Sequence, residues 1–374
     1  MPWRESTCMS QRLEFIDEAG LRERSFSALC RRYGISRKTG YKYLARNDAA
    51  ELSRKPLTSP RKTASEIEAL VCQLRLAEPV WGGRKIRDRL LLDGVTDLPA
   101  PSTITDILRR HGLLKPPLRP QRDLVRFEAA EPNDLWQMDF KGPLQTDRGP
   151  CFALTVLDDH SRFLLCLAAC PDQKTETVQA QLSRAFRVYG LPRRILCDNG
   201  PPWGSDAQHR FTKLVAWLMR LGIQVSHGRP YHPQTQGKDE RFHRTLSDEL
   251  LSRRESDWRD LTDAQVSFDL YRQRYNEYRP HQSLGGLPPA LRYTDSTRRL
   301  PRTLPQPVYE PGDKLRVVSR DRRFSFAGHD YRVGKAFVGQ TLALRANAQG
   351  GRDVYYCWQR IGRLDPGSLR LAQV

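Results

Sequence analysis

The chain has 374 residues, enough for two to four domains of ordinary size, and its 39% hydrophobic content is enough to build packed cores. Lys and Arg number 62 against 43 Asp and Glu, a net charge of +19 with a pI near 9.9, which points to a polyanionic partner. No apolar run approaches the roughly 18–20 residues of a membrane span, and Met1–Ser6 lacks the apolar stretch of a signal peptide, so neither a membrane partner nor secretion is expected.

The eight cysteines form no C-x-x-C pair, and several fall inside apolar runs such as Phe163–Cys170. They read as buried free thiols of a reducing cytoplasm, not as disulfides or zinc ligands.

In chain order, residues 1–50 read as a helix-turn-helix unit. A short helix over Ser25–Tyr33 ends at Gly34, and Ser36 caps a second helix over Arg37–Arg46. Phe26, Leu29, Ile35, Tyr43 and Leu44 would pack the pair, leaving Arg37, Lys38 and Lys42 outward on the helix that would enter a major groove. Gly40 is a weak point, since glycine costs about 1 kcal/mol inside a helix.

Residues 50–62 read as a linker, and 63–114 as a second helix-turn-helix unit. Its helices are Ser65–Ala77, Trp81–Leu92 and one capped by Ser102 and closed by Gly112. Arg84, Lys85, Thr103 and Thr105 are its candidates for phosphate or base contact. Two such units in tandem suit an extended DNA site. Lys115–Arg122 is a basic, proline-rich linker.

From 125 to 293 the pattern changes to mixed α/β. Strands are expected at Leu135–Phe140, Phe152–Leu157 and Phe163–Ala169, a helix at Thr175–Tyr189, and a strand at Arg194–Cys197. A helix over Phe211–Leu221, a strand over Ile223–His227 and a helix after the loop beginning at Tyr231 follow. The order β-β-β-α-β-α-β-α is that of an RNase-H-like sheet. Beyond a loop-like stretch, 309–374 reads as short strands of a small β-barrel, whose Arg and Lys suit a DNA backbone or a protein contact equally.

Three acids stand out in the central region. Asp139 lies within the first strand, opposite in facing to Trp136, Met138 and Phe140. Asp198 follows the fourth strand, and Glu240 sits in the first turn of the last helix, where Pro233 limits the helix and Thr235 can cap it. The three are far apart in sequence, so only folding can bring them together. Three convergent carboxylates are what two hard cations need for in-line phosphoryl displacement. Lys238, Arg241 and Arg244 surround Glu240 and complete the DNA-binding candidates. Asp147, Asp158 and Asp159 are explained by turn chemistry, and Asp239 points about 100° from Glu240 on the helix.

The stretches Trp136–Asp139, Leu157–Arg162, Cys197–Gly200, Tyr231–Thr245 and Tyr275–Gly286 together resemble bacterial insertion-sequence transposases with a retroviral-integrase-type DDE core. The resemblance implies that Asp139, Asp198 and Glu240 are a catalytic triad holding two Mg²⁺ ions, with Mn²⁺ as a substitute. It also implies strand cleavage at the ends of an element and attack of the freed 3′-hydroxyl on target DNA, by a homo-oligomer on double-stranded DNA in the cytoplasm, at the nucleoid. The Asp198–Glu240 gap is longer than the family commonly has, the excess falling in Pro201–Phe211. The zinc-binding His/Cys domain of retroviral integrases has no counterpart here. Asn276, Arg279, Pro280 and His281 read either as lining a DNA path or as a structural corner, and His227, His232 and His243 lie near the acids without reading as metal ligands.

Two other functions share these features. A non-enzymatic DNA-binding copy would only occupy element ends, and an RNase H or resolvase-type nuclease would cut without joining.

Overall fold

The computed structural model describes residues 7–46, 63–114, 128–204, 211–227, 237–253, 258–348, 350–365 and 370–372. Pro233, Thr235, His232, the two linkers and most of the Pro201–Phe211 stretch lie outside these residues. Two compact units divide at residue 62.

Among its described residues the first unit has three helices, α1 (Cys8–Leu21), α2 (Phe26–Arg32) and α3 (Arg37–Arg46), around Phe15, Leu29 and Cys30. Ser25 caps α2 through the Ala28 N–H, and the Ser36 hydroxyl accepts from the Thr39 N–H at the start of α3. Helix α1 is an addition to the two helices expected from sequence. It contributes one buried side chain, Phe15, so its apolar signal is faint. Gly40 proves to be a contact point and not a weakness. A Cβ there would come within 2.8 Å of Cys30 Sγ and 2.9 Å of the Phe26 ring.

The second unit begins with α4 (Ser65–Ala77), α5 (Gly83–Leu92) and α6 (Pro101–Arg110), which bury Val71, Trp81, Ile86, Ile104, Ile107 and Leu108 together. Helix α6 starts one residue before Ser102: Ala100 is the cap and Pro101 takes the first turn, where a missing N–H costs nothing.

The central sheet comprises β1 (Leu135–Thr146), β2 (Gly149–Asp158), β3 (Leu164–Cys170), β4 (Arg194–Cys197) and β5 (Gln224–His227), in the order β3-β2-β1-β4-β5. β1, β2 and β3 form an antiparallel meander, while β4 and β5 run parallel to β1. Alternation along β1 sends Trp136 and Met138 to one face, covered by α7 (Thr175–Tyr189) and α8 (Lys213–Arg220). The other face packs Leu157, Leu164 and Leu167 against α9 (Gly237–Glu249) and α10 (Leu261–Glu277), with Phe242, Leu246 and Phe268 buried between. Thr212 caps α8, two residues inside the expected start.

Helices α4–α6 are fastened to this core. The Glu249 carboxylate at the end of α9 accepts from Arg279 Nε at 2.8 Å, Tyr271 Oη at 3.4 Å and Lys85 Nζ at 3.3 Å. Glu78 pairs with Arg274, and Tyr278 stacks on Trp81 with the Arg89 guanidinium over its ring.

C-terminal strands β6 (Lys314–Val317), β7 (Arg323–Phe326), β8 (His329–Arg332), β9 (Thr341–Ala346), β10 (Arg352–Tyr356), β11 (Gln359–Asp365) and β12 (Arg370–Ala372) form a mostly antiparallel sheet. Its core of Phe324, Phe337, Leu342, Leu344, Val354 and Tyr356 continues into Val215, Ala216 and Met219 of α8. All eight cysteines are free, and five of them are buried. No described helix is long and apolar enough to cross a membrane.

Gly40→Ala is therefore expected to destabilise the first unit by about 1–3 kcal/mol through overpacking. Helix propensity alone would make it stabilising by about 1 kcal/mol. Amide hydrogen exchange of α2 and α3 in the full chain distinguishes the two signs.

Candidate active site

The strand register puts two of the three acids side by side. β1 and β4 pair in parallel as far as Gln137↔Leu196, and Asp139 and Asp198 each lie two residues further on. β4 ends there, so Asp198 opens into a loop at the carboxyl end of a parallel strand, where such sheets bind ligands. On its other side Asp139 pairs with Thr155 of β2, whose hydroxyl donates to the Asp139 carbonyl at 3.0 Å.

Helix α9 brings the third acid. Phe242 and Leu246 anchor the helix on the sheet, and Glu240 stands exposed in its first turn. Its negative charge and that of Asp198 are both felt at Asp139. The Asp139 carboxyl is pushed up to about 6, chiefly by burial and further by these two neighbours, against the Phe140 N–H that donates to it at 2.7 Å. Asp198 is exposed, and its carboxylate accepts from the Asn199 N–H at 2.7 Å.

The donor set is hard oxygen with excess negative charge, which fits a divalent cation such as Mg²⁺. Among the described residues no three acidic, imidazole or thiolate groups already stand at the spacing of a closed cation cage. Repulsion between uncompensated carboxylates opposes such a spacing.

Several residues around the acids carry roles that turn chemistry does not explain. Asp158 does serve a turn, accepting from the Ser161 N–H and hydroxyl, but it also takes the Asn133 N–H at 2.7 Å. Asp159 is fully buried and accepts from the Ala129 N–H at 2.7 Å, from Gln137 Nε2 at 2.6 Å and from Lys238 Nζ at 2.5 Å. Asp239 is buried too, with both carboxylate oxygens lacking a hydrogen-bond partner among the described residues, and burial raises its pKa well above the ordinary range. His243 lies between Thr155 Oγ1 at 3.0 Å and Asp139 Oδ2 at 3.7 Å, with burial lowering its imidazole to about 4. An acid pair closing a strand amid apolar neighbours was the available signal for Asp158 and Asp159.

Of the candidate DNA contacts, Arg37, Lys38, Lys42, Arg84, Arg241 and Arg244 are exposed. Lys85 and Lys238 are not disposed as expected, because each is turned inward onto a buried carboxylate, Glu249 and Asp159 respectively. Thr103 is exposed, whereas the Thr105 hydroxyl is spent on the Pro101 carbonyl. His227 Nδ1 bonds the Asp198 carbonyl. In the Tyr275–Gly286 stretch Asn276 bonds both backbone groups of Leu164, and Arg279 pairs with Glu249, so these two residues build a structural corner.

Asp139→Asn is expected to stabilise the cation-free protein at pH 8. A folded-state pKa of about 6 lies above the ordinary 3.8, so the ionisation penalty is present above pH 6 and absent below 3.8. The full shift is worth about 3 kcal/mol, and because the side chain is 32% exposed, screening cuts this to about 1–2 kcal/mol. Chemical denaturation with a chelator should show the gain at pH 8 and none at pH 4.

Comparison with known proteins agrees with this architecture. Residues 129–233 match the integrase core domain, a second integrase core domain family matches 221–289, and 313–368 match the C-terminal domain of IS481 family transposases. An uncharacterized 39.2 kDa protein of insertion element IS476 from Xanthomonas euvesicatoria is 30% identical over 183 residues, 49% of this chain and 50% of its own length. An uncharacterized 31.7 kDa protein of insertion element IS407 from Burkholderia multivorans is 28% identical over 159 residues, 42% of this chain and 54% of its own. The chain thus spans about half the length of these relatives. The catalytic core domain of BIV integrase is 23% identical, covering 43% of this chain and 93% of that one, with a TM-score of 0.33. The chain carries an integrase core domain followed by the C-terminal domain of the IS481 transposase family.

Proposed function

We propose that this chain is a DDE transposase that binds the ends of an insertion element, cuts DNA strands there and joins the freed ends to target DNA. The observation that carries the reading is the parallel register that sets Asp139 beside Asp198, with Glu240 close enough for its charge to reach Asp139. Relatedness to insertion-element proteins supports the same reading.

In this proposal Asp139, Asp198 and Glu240 hold two divalent ions, Mg²⁺ or Mn²⁺. The ions would supply activation of the attacking oxygen and charge stabilisation on the leaving oxygen of an in-line displacement. Asp139 is held by its strand and by the Phe140 N–H. Asp198 and Glu240 are exposed and can adjust around a phosphate. Arg241 and Arg244, on the same helix as Glu240, lie where DNA backbone would enter. Arg37, Lys38 and Lys42 of α3, with Arg84 of α5, serve element-end binding. Lys85 and Lys238 drop out of the contact set because their charges are already met. Two element ends must be brought together before joining, so the working form is a multimer on double-stranded DNA.

Asp139→Asn, Asp198→Asn and Glu240→Gln are each expected to abolish cleavage and joining of labelled element-end DNA with Mg²⁺ or Mn²⁺, while end binding persists. Joined product from the unaltered chain separates a transposase from a nuclease, which yields cut product only. Binding by every form with no cleavage by any would instead support a protein that merely occupies the ends. Arg37→Ala with Lys38→Ala should weaken end binding and flatten its salt dependence, because fewer counterions are released. An unchanged salt slope would take α3 out of the DNA interface.

A further inference from the structure

A buried ion pair sits at the root of the helix that carries Glu240. Asp159 is the first residue after β2 and has no exposed surface. Its carboxylate draws in three donors from three different segments: the Ala129 N–H, Gln137 of β1 and Lys238 of α9. Lys238 Nζ also donates to the Asp159 carbonyl at 3.3 Å, so the ammonium is held at two points. Lys238 is the second residue of α9 and lies two residues before Glu240.

The charges nearby explain why a cation is wanted at this place. Asp239 is buried beside both Asp139 and Asp159, whose charges it feels. With Lys238 removed, the buried Asp159 carboxylate would keep only its Ala129 and Gln137 donors, and the first turn of α9 would lose its ionic tie to the sheet. Further along, α9 is held by Phe242 and Leu246, whose apolar packing fixes its distance from the sheet. Such packing is non-directional, and does little to fix the direction in which the first turn points.

We propose that the Asp159–Lys238 pair is a clamp that sets the first turn of α9, and with it the Glu240 carboxylate, relative to Asp139 and Asp198. Lys238 is thus a positioning residue of the metal site and not a contact to DNA phosphate. The inference rests on the metal-site reading given above. Outer partners of metal ligands typically change metal affinity by about 10–100-fold when removed, which makes affinity for the ion itself the quantity to measure.

The test is Mn²⁺ binding to the full chain, followed by electron paramagnetic resonance below the melting temperature, alongside affinity for an element-end duplex. Lys238→Met and Asp159→Asn are each expected to weaken Mn²⁺ binding about ten-fold. The double variant should be no weaker than the worse single one, since all three lose the same contact. End-duplex affinity and its salt slope should stay within about two-fold of the unaltered chain. If Asp159→Asn does not fold, Lys238→Met carries the test, since Asp159 then keeps its Ala129 and Gln137 donors.

Unchanged Mn²⁺ affinity in a folded Lys238→Met chain overturns the clamp. A flattened salt slope with intact Mn²⁺ binding also overturns it, and returns Lys238 to the DNA surface. Asp139→Asn and Asp198→Asn serve as controls. If neither moves Mn²⁺ binding, the metal-site reading falls and the clamp with it. If both abolish binding and Lys238→Met leaves it alone, only the clamp falls.

Discussion

Like charges brought to one edge of a sheet repel one another, and much of the second unit's interior can be understood as the means of holding them there. Asp139 is half-buried on a strand that pairs with β2 at this point and with β4 up to Gln137, so the backbone ladder bears the cost of its position. The raised pKa of Asp139 is the signature of that cost, and it arises from burial before neighbouring charge. Strongly shifted acids of this kind cluster at functional sites.

The second constraint is the ion cluster around Glu249. Its carboxylate gathers Lys85 from α5, Arg279 from the corner after α10 and Tyr271 from α10 itself. Removing any one partner leaves a buried charge short of a contact, which is costly even where the intact cluster contributes little net stability. The result is that α4–α6 and the α9–α10 face meet through fixed, directional bonds. The C-terminal sheet joins the same body by a different route, sharing an apolar core with α8.

Much of the core was legible from pattern. Alternation in β1 and the spacing of Val178, Leu182 and Ala185 in α7 gave the right elements in the right order, because each is a local response to one buried face. The acids Asp139 and Asp198 were legible as an adjacent pair only once strand order was assumed. Helix α1 is not legible in the sequence because a single buried Phe15 makes no stripe. Gly40 looks like a weakness within its own helix, whereas its value lies in what crosses it, the Cys30 and Phe26 side chains.

The sequence by itself determined helix and strand periods, a cap such as Ser36, the net charge and the acids available for chemistry. These depend on interactions within a few residues, or on no geometry at all. Tertiary structure alone decided which cations remain exposed and which are consumed. Lys85 and Lys238 read like their neighbours Arg84 and Arg241, yet their partners stand 164 and 79 residues away along the chain. A charge seeks the nearest opposite charge in space, and a buried carboxylate that cannot reach water binds it far more strongly than solvent would. No local pattern encodes that choice, because the distance that decides it exists only after folding.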